Sequence, residues 1–268
     1  MHEILIAVVL GIVEGLTEFL PVSSTGHLIL AGQILGYTGE KAKSFEIFIQ
    51  LGAILAVAVL YRRKLWTMAL DLVPGRRKTG GLTAWHIALA MAPAVVAGLL
   101  LYRPIKETLF APWAVLVGLT AGGIYLLAAE RLAPKPRALD LDGISYRQAL
   151  GIGLFQCLAL WPGFSRSGAT IAGGLFAGAG LKASADFSFL LAIPMMAAAT
   201  GLDLLKTWHQ LTPDDATVFA VGFAVSFAVA WLAVAAFLKV LERVRLTPFA
   251  LYRFAIAALF AGYFWLAR

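Results

Sequence analysis

Residues 216–238 run for 23 positions without a single charge. A helix needs roughly 20 apolar residues to cross about 30 Å of hydrocarbon, so this window alone directs the chain into a bilayer. Windows at 45–61, 83–102, 112–129, 186–205 and 248–266 repeat the signal, the first of them short. With 60% hydrophobic and 14% charged residues and a mean hydropathy of +0.84, the 268-residue chain carries too much apolar surface for one soluble core. The expected fold is all-α: a polytopic membrane protein with six transmembrane helices and two re-entrant helical hairpins.

The formal net charge of +7 is not a nucleic-acid footprint, because the basic residues gather between the apolar windows. They form three clusters: Arg62, Arg63 and Lys64 with Arg76, Arg77 and Lys78; residues 131–137; and residues 239–245. Positive loops mark the cytoplasmic side, and an even number of spans between successive clusters is consistent with all three lying there and both termini outside. The first apolar stretch has no basic leader and carries Glu14 and Glu18, so it is expected to belong to the fold rather than to a cleaved signal. A lone cysteine, Cys157, allows no internal disulfide and is expected to be a small apolar residue.

Two polar strings break the apolar pattern: Val22-Ser23-Ser24-Thr25-Gly26 and, 142 positions later, Phe164-Ser165-Arg166-Ser167-Gly168. The same shift aligns Gly11 with Gly153, Glu14 with Gln156, Gly32 with Gly174 and Phe45 with Phe187. The chain therefore reads as one membrane domain, 1–268, made of repeat A (about 1–138) and repeat B (about 143–268). In each repeat the first two elements, 4–20 with 24–36 and 146–161 with 170–180, are too short or too polar for spans and read as re-entrant hairpins. Their tips, 21–25 and 162–168, must meet in a protected cavity, because non-helical backbone cannot face lipid. A hairpin plus three spans is an odd number of crossings, which predicts an inverted-topology repeat.

Glu14 and Glu18, spaced i and i+4, share one helix face with Cβ atoms about 5–6 Å apart. Two like charges at membrane depth need a cation, a proton or a water-filled cleft, and a divalent cation, Mg or Ca, would both neutralise them and bridge phosphate oxygens. Ser23, Ser24 and Thr25 can cap the helix that follows; the same helix N-terminus can also bind an anion while one hydroxyl attacks it. His27, three residues after Ser24, is spaced to take that hydroxyl's proton. The remaining histidines, His2, His86 and His209, read as structural or solvent-exposed.

Arg166 needs an anion, either an internal carboxylate or a phosphate that suits its planar fork. Ser165, Ser167 and Thr170 offer one cap and further hydroxyls toward the cleft. Glu46, beside Lys41 and Lys43, reads equally as an ion pair or as a site residue, and Arg253, Asp186 and Asp203 as parts of an interface or a polar cavity wall.

The strings Glu14-x-x-x-Glu18-Phe-Leu-Pro-Val-Ser-Ser-Thr-Gly-His27 and Pro162-Gly-Phe-Ser-Arg166-Ser-Gly-Ala-Thr170, with Phe45-Glu46-x-x-Ile49-Gln50-Leu51-Gly52, resemble the undecaprenyl-diphosphatase (bacitracin-resistance) family of bacterial membrane proteins. The resemblance covers essentially the whole chain. It implies hydrolysis of undecaprenyl diphosphate to the monophosphate and inorganic phosphate, which recycles the lipid carrier for cell-wall synthesis. It further implies a bacterial inner-membrane location, a site open to the periplasmic or extracellular side, and a divalent cation. Glu14 and Glu18 take metal or acid–base roles under it, Ser24 and His27 attack, and Arg166 with Thr170 holds phosphate, with Ser23, Thr25, Ser165 and Ser167 as further phosphate contacts. A homodimer is a further expectation. The alternative from another class is a transporter or flippase of prenyl phosphates, which the inverted repeats and twin broken hairpins would also suit.

Overall fold

The computed structural model describes residues 2–73, 80–101, 103, 105–109, 111–207, 215–241 and 245–266. Arg76, Arg77, Lys78, Tyr102, His209 and residues 242–244 of the third basic cluster lie outside the described residues, as does the side chain of Asp203.

Eleven α-helices make up the described fold, and no strand longer than a single parallel bridge between Ala138 and Ala179 occurs among the described residues. Helices α1 (His2–Thr17) and α2 (Ser24–Ile34) form the first hairpin, followed by α3 (Glu40–Leu60), α4 (Arg62–Leu70), α5 (Ala84–Leu100) and α6 (Pro112–Leu132). Helices α7 (Tyr146–Gln156) and α8 (Arg166–Phe176) form the second hairpin, followed by α9 (Leu181–Thr207), α10 (Asp215–Val240) and α11 (Thr247–Leu266). The chain is a multi-pass membrane protein. Five helices, α3, α6, α9, α10 and α11, are long and apolar enough to cross a bilayer. The sixth expected span, 83–102, is the 17-residue α5 with Pro93 inside it, shorter than the others. The nine-residue α4 was not expected, since its sequence reads only as a basic loop.

Local chemistry explains the helix ends. Ser145 and Gln148 cap α7 reciprocally: the Gln148 N–H donates to Ser145 Oγ at 3.3 Å and the Ser145 N–H to Gln148 Oε1 at 2.9 Å. Thr83 and His86 do the same for α5, and His86 stacks on Tyr146 with ring centroids 3.8 Å apart. At its far end α7 tightens into a 3₁₀ turn, Cys157–Leu160, and stops at Trp161 because Pro162 excludes a helical conformation for the residue before it. The equivalent break after α1 falls at Pro21, where the Val22 N–H donates back to the Leu20 carbonyl at 2.8 Å in a γ-turn. The breaks are shorter than the sequence suggests: Ser24 and Thr25, like Arg166, Ser167 and Gly168, already belong to the first turns of α2 and α8.

Among the described residues only Ser23 (φ 74°) and Ser165 (φ 76°) take a left-handed backbone without being glycine, and they occupy equivalent positions of the two strings. Packing is reciprocal as well. The first hairpin helix α1 lies on α10, and the first helix of the second hairpin, α7, lies on α5. Beneath the tips sits a core rich in alanine, including Ala53, Ala172, Ala192 and Ala230 around Phe19 and Phe189. Small side chains let helices approach closely where lipid supplies no hydrophobic drive.

Candidate active site

The two tips meet around a cavity of about 170 Å³ whose wall includes Glu18, Ser23, Ser24 and Thr25 from the first hairpin and Ser165 and Arg166 from the second. Gln50, Trp161 and Met196 also line it, and of these three only Gln50, through its place in the third string, had any signal in the sequence.

Glu18 is the hub. Ser24 Oγ donates to Glu18 Oε2 at 2.5 Å, and an Arg166 Nη2 hydrogen bond reaches Glu18 Oε1 at 3.4 Å. The sequence paired Ser24 with His27; the structure does not. His27 instead bonds the Ser23 carbonyl through Nδ1 at 2.7 Å and the Tyr252 hydroxyl through Nε2 at 2.8 Å, with its ring parallel to that of Tyr252. Ser23 is the N-cap of α2, so its carbonyl points along the helix and meets both the N–H and the imidazole of His27, while the Ser24 hydroxyl faces back to Glu18.

Arg166 is almost enclosed. Besides Glu18 it donates Nη1 to the Ser188 carbonyl at 3.1 Å, and its Cζ lies 5.5 Å from the centre of the Phe19 ring, a cation–π contact. The remaining guanidinium Nε is buried without a partner. Thr170, expected to hold phosphate, donates to the Arg166 carbonyl at 2.8 Å and shares a 2.6 Å bond with Ser188 Oγ, so it fixes the Arg166 turn rather than facing the cavity. Ser167, expected in the same role, donates to the Leu20 carbonyl at 2.8 Å and ties one tip to the other. Ser165 caps α8 by accepting from the Gly168 N–H at 3.1 Å, whereas no side chain caps α2. The N-terminus of α2, lying on the cavity wall, is thus the one available to an anion.

Glu14 is fully buried one turn before Glu18, and neither of its carboxylate oxygens meets a hydrogen-bond partner. Glu18, Glu46 and Arg166 all act on it electrostatically. Lys43 pairs with Glu40 at 2.6 Å and Lys41 with Asp215 at 2.5 Å, so neither lysine's pairing is with Glu46. Asp186 accepts from the Tyr61 hydroxyl at 2.5 Å, an interface contact between α9 and the junction of α3 with α4. No group of three or more His, Cys, Asp or Glu side chains arranged to hold a metal occurs among the described residues.

Arg253 is the largest fully buried side chain and meets five backbone carbonyls: Leu119 from Nε (3.1 Å), Pro21 from Nη1 (3.3 Å), and Gly118, Gly163 and Phe164 from Nη2 (3.0, 2.9 and 2.9 Å). It fastens both tips to α6. Glycine is required at 118 and 122 because any Cβ there would occupy the space of the Pro162 carbonyl or of the guanidinium itself.

A membrane-embedded helical protein whose carboxylate, hydroxyl and guanidinium groups converge on one polar cavity belongs among enzymes that act within the bilayer. The chain belongs to the family described as "Bacitracin resistance protein BacA", which it matches over residues 7–259. It is similar to proteins named undecaprenyl-diphosphatase 1 from Bacillus thuringiensis (strain Al Hakam) and Bacillus anthracis, each 56% identical over 260 residues that cover 97% of this chain and 98% of the relative. A protein of that name from Bacillus cereus matches to the same extent.

Proposed function

We propose that this protein hydrolyses undecaprenyl diphosphate to undecaprenyl monophosphate and inorganic phosphate, recycling the lipid carrier of cell-wall synthesis, from a bacterial inner membrane with the cavity open to the outer side. The family and the 56% identity of the named diphosphatases support the reaction. The 2.5 Å bond from Ser24 to Glu18, with Arg166 across the same carboxylate, supports the chemistry.

In this reading Glu18 takes the proton of Ser24 as Oγ forms a bond to the terminal phosphorus. The bridging oxygen departs with its electron pair as part of undecaprenyl monophosphate. A water then attacks the phosphoserine, and Ser24 regains a proton as phosphate leaves. Arg166 releases Glu18 to clamp the transferring group, and the uncapped N–H groups of α2 receive its remaining charge, since phosphoryl transfer depends mainly on positioning and charge neutralisation.

The buried, unpartnered oxygens of Glu14, one turn from Glu18, would suit a divalent cation. Glu14 and Glu18 would hold it, and its chemistry there is neutralisation of the diphosphate. Chelation should then lower turnover and a graded return of Mg²⁺ or Ca²⁺ restore it. The equivalent left-handed serines and the reciprocal packing of α1 on α10 and α7 on α5 support two inverted repeats that together build this site.

The test is phosphate release by detergent-purified Arg166→Ala. Loss of one contact to the developing charge costs about 10²–10³ in rate. Parent-level release by the variant would refute the clamp.

A further inference from the structure

A second cavity, of about 320 Å³, shares Trp161 with the polar one. It is bounded by Leu101 just after α5, the π-helical turn Ile105–Leu109, α6 (Val117, Ala121), and the 3₁₀ turn through Leu158, and among the described residues no charged side chain lines it. Leu101, Val117 and Leu158 are exposed, so this groove opens sideways onto the surface that faces lipid. Trp161 forms the threshold between the two chambers. Its indole N–H is already spent on the Ala114 carbonyl at 2.7 Å, and Trp113 packs edge-on against it, so it presents only apolar surface to the groove.

We propose that this groove holds the isoprene units nearest the diphosphate, while the rest of the tail stays in the bilayer. The inference rests on the diphosphatase reading above. A prenyl diphosphate needs a polar chamber joined directly to an apolar one, and Trp161 supplies that junction. Ordinary bilayer lipid is the other conceivable occupant, but it has no reason to enter beside the phosphate cavity in preference to the rest of the apolar perimeter. Because the groove is finite, recognition should saturate at a short prenyl tail: farnesyl and undecaprenyl diphosphates gain alike over a diphosphate with no tail.

The experiment compares phosphate release from methyl, farnesyl and undecaprenyl diphosphates by the parent, Ala97→Trp and Ala121→Trp, both substitutions filling the groove away from Ser24 and Arg166. Expected is a KM raised at least about tenfold for both prenyl substrates, as the loss of apolar pocket contacts gives, with methyl diphosphate unaffected. Unchanged prenyl KM in both variants overturns the proposal and assigns the groove to bulk lipid, leaving the hydrolysis reading intact. A readout without turnover is photolabelling of the parent with a farnesyl diphosphate carrying a diazirine in its first isoprene unit. Labelling of Leu101, Val117 or Leu158 that undecaprenyl phosphate competes away upholds the groove even if no diphosphate were hydrolysed. Labelling confined to other positions overturns it.

Discussion

Ser24 and Glu18 are hydrogen-bonded across the break between α1 and α2, with the hydroxyl donating at 2.5 Å to a carboxylate that also meets Arg166. This one carboxylate therefore links the proposed nucleophile to the proposed phosphate clamp. Glu18→Gln keeps the shape and removes the base, so kcat should fall about 10²–10⁴-fold, the usual worth of general acid–base catalysis. Rapid quench with labelled substrate should trap phosphate on Ser24; phosphate trapped on His27 would move the nucleophile to the imidazole.

Arg166→Lys should not restore what Arg166→Ala loses. A lysine keeps the charge but cannot hold the Ser188 carbonyl with one arm of a planar fork while the other passes from Glu18 to a phosphate. Phosphate release within about tenfold of the alanine variant is expected, since the bidentate geometry carries the selectivity.

Arg253→Met should destabilise more than any cavity-wall substitution. It leaves carbonyls of both tips and of α6 buried without a donor, at about 1–3 kcal/mol for each that finds no substitute. Thermal unfolding in detergent should show a large fall in Tm for Arg253→Met and a smaller one for Arg253→Lys, which retains the charge and some of the bonds.

Ser23 and Ser165 should respond differently to glycine. Both hold a left-handed backbone, a strain of order 1–3 kcal/mol for a residue with a Cβ. Ser23 has no cap bond to lose, so Ser23→Gly should raise Tm. Ser165→Gly relieves the same strain but forfeits the bond from the Gly168 N–H, so its Tm should change less. Equal gains in both variants would contradict the capping asymmetry.

Asp142 is exposed, and although the little burial it has pushes its carboxyl up, the Lys64 ammonium and the Leu82 N–H bring it below the ordinary carboxylate value. A depressed folded value contributes stability at neutral pH that disappears as pH falls through the carboxylate range. Asp142→Asn should therefore flatten the acid limb of a Tm-against-pH curve and leave the alkaline limb in place. The effect should be small, because the pair is largely solvent-screened.

Much of the site was legible because a polar residue in an apolar chain has few places to go. Glu14, Glu18, Ser24 and Arg166 stand out against their surroundings, and the duplicated strings announced that two breaks would meet. What spacing could not supply was the direction of each hydroxyl. His27 lies three residues after Ser24, yet its ring is claimed by the Ser23 carbonyl and by Tyr252, 225 positions away. Ser167 and Thr170 looked like phosphate ligands because nothing local reveals that the Leu20 carbonyl and Ser188 would claim them. Arg253 was visible as a lone charge in an apolar window, but its role depends on five carbonyls gathered from three distant segments.

The missing side-chain cap on α2 has a consequence of its own. Free N–H groups at a helix start hold an anion through main chain alone. Short of proline, no replacement of a side chain deletes those donors, so in the proposed reaction this half of the phosphate grip is shielded from single-residue change, whereas the half supplied by Arg166 can be lost in one step.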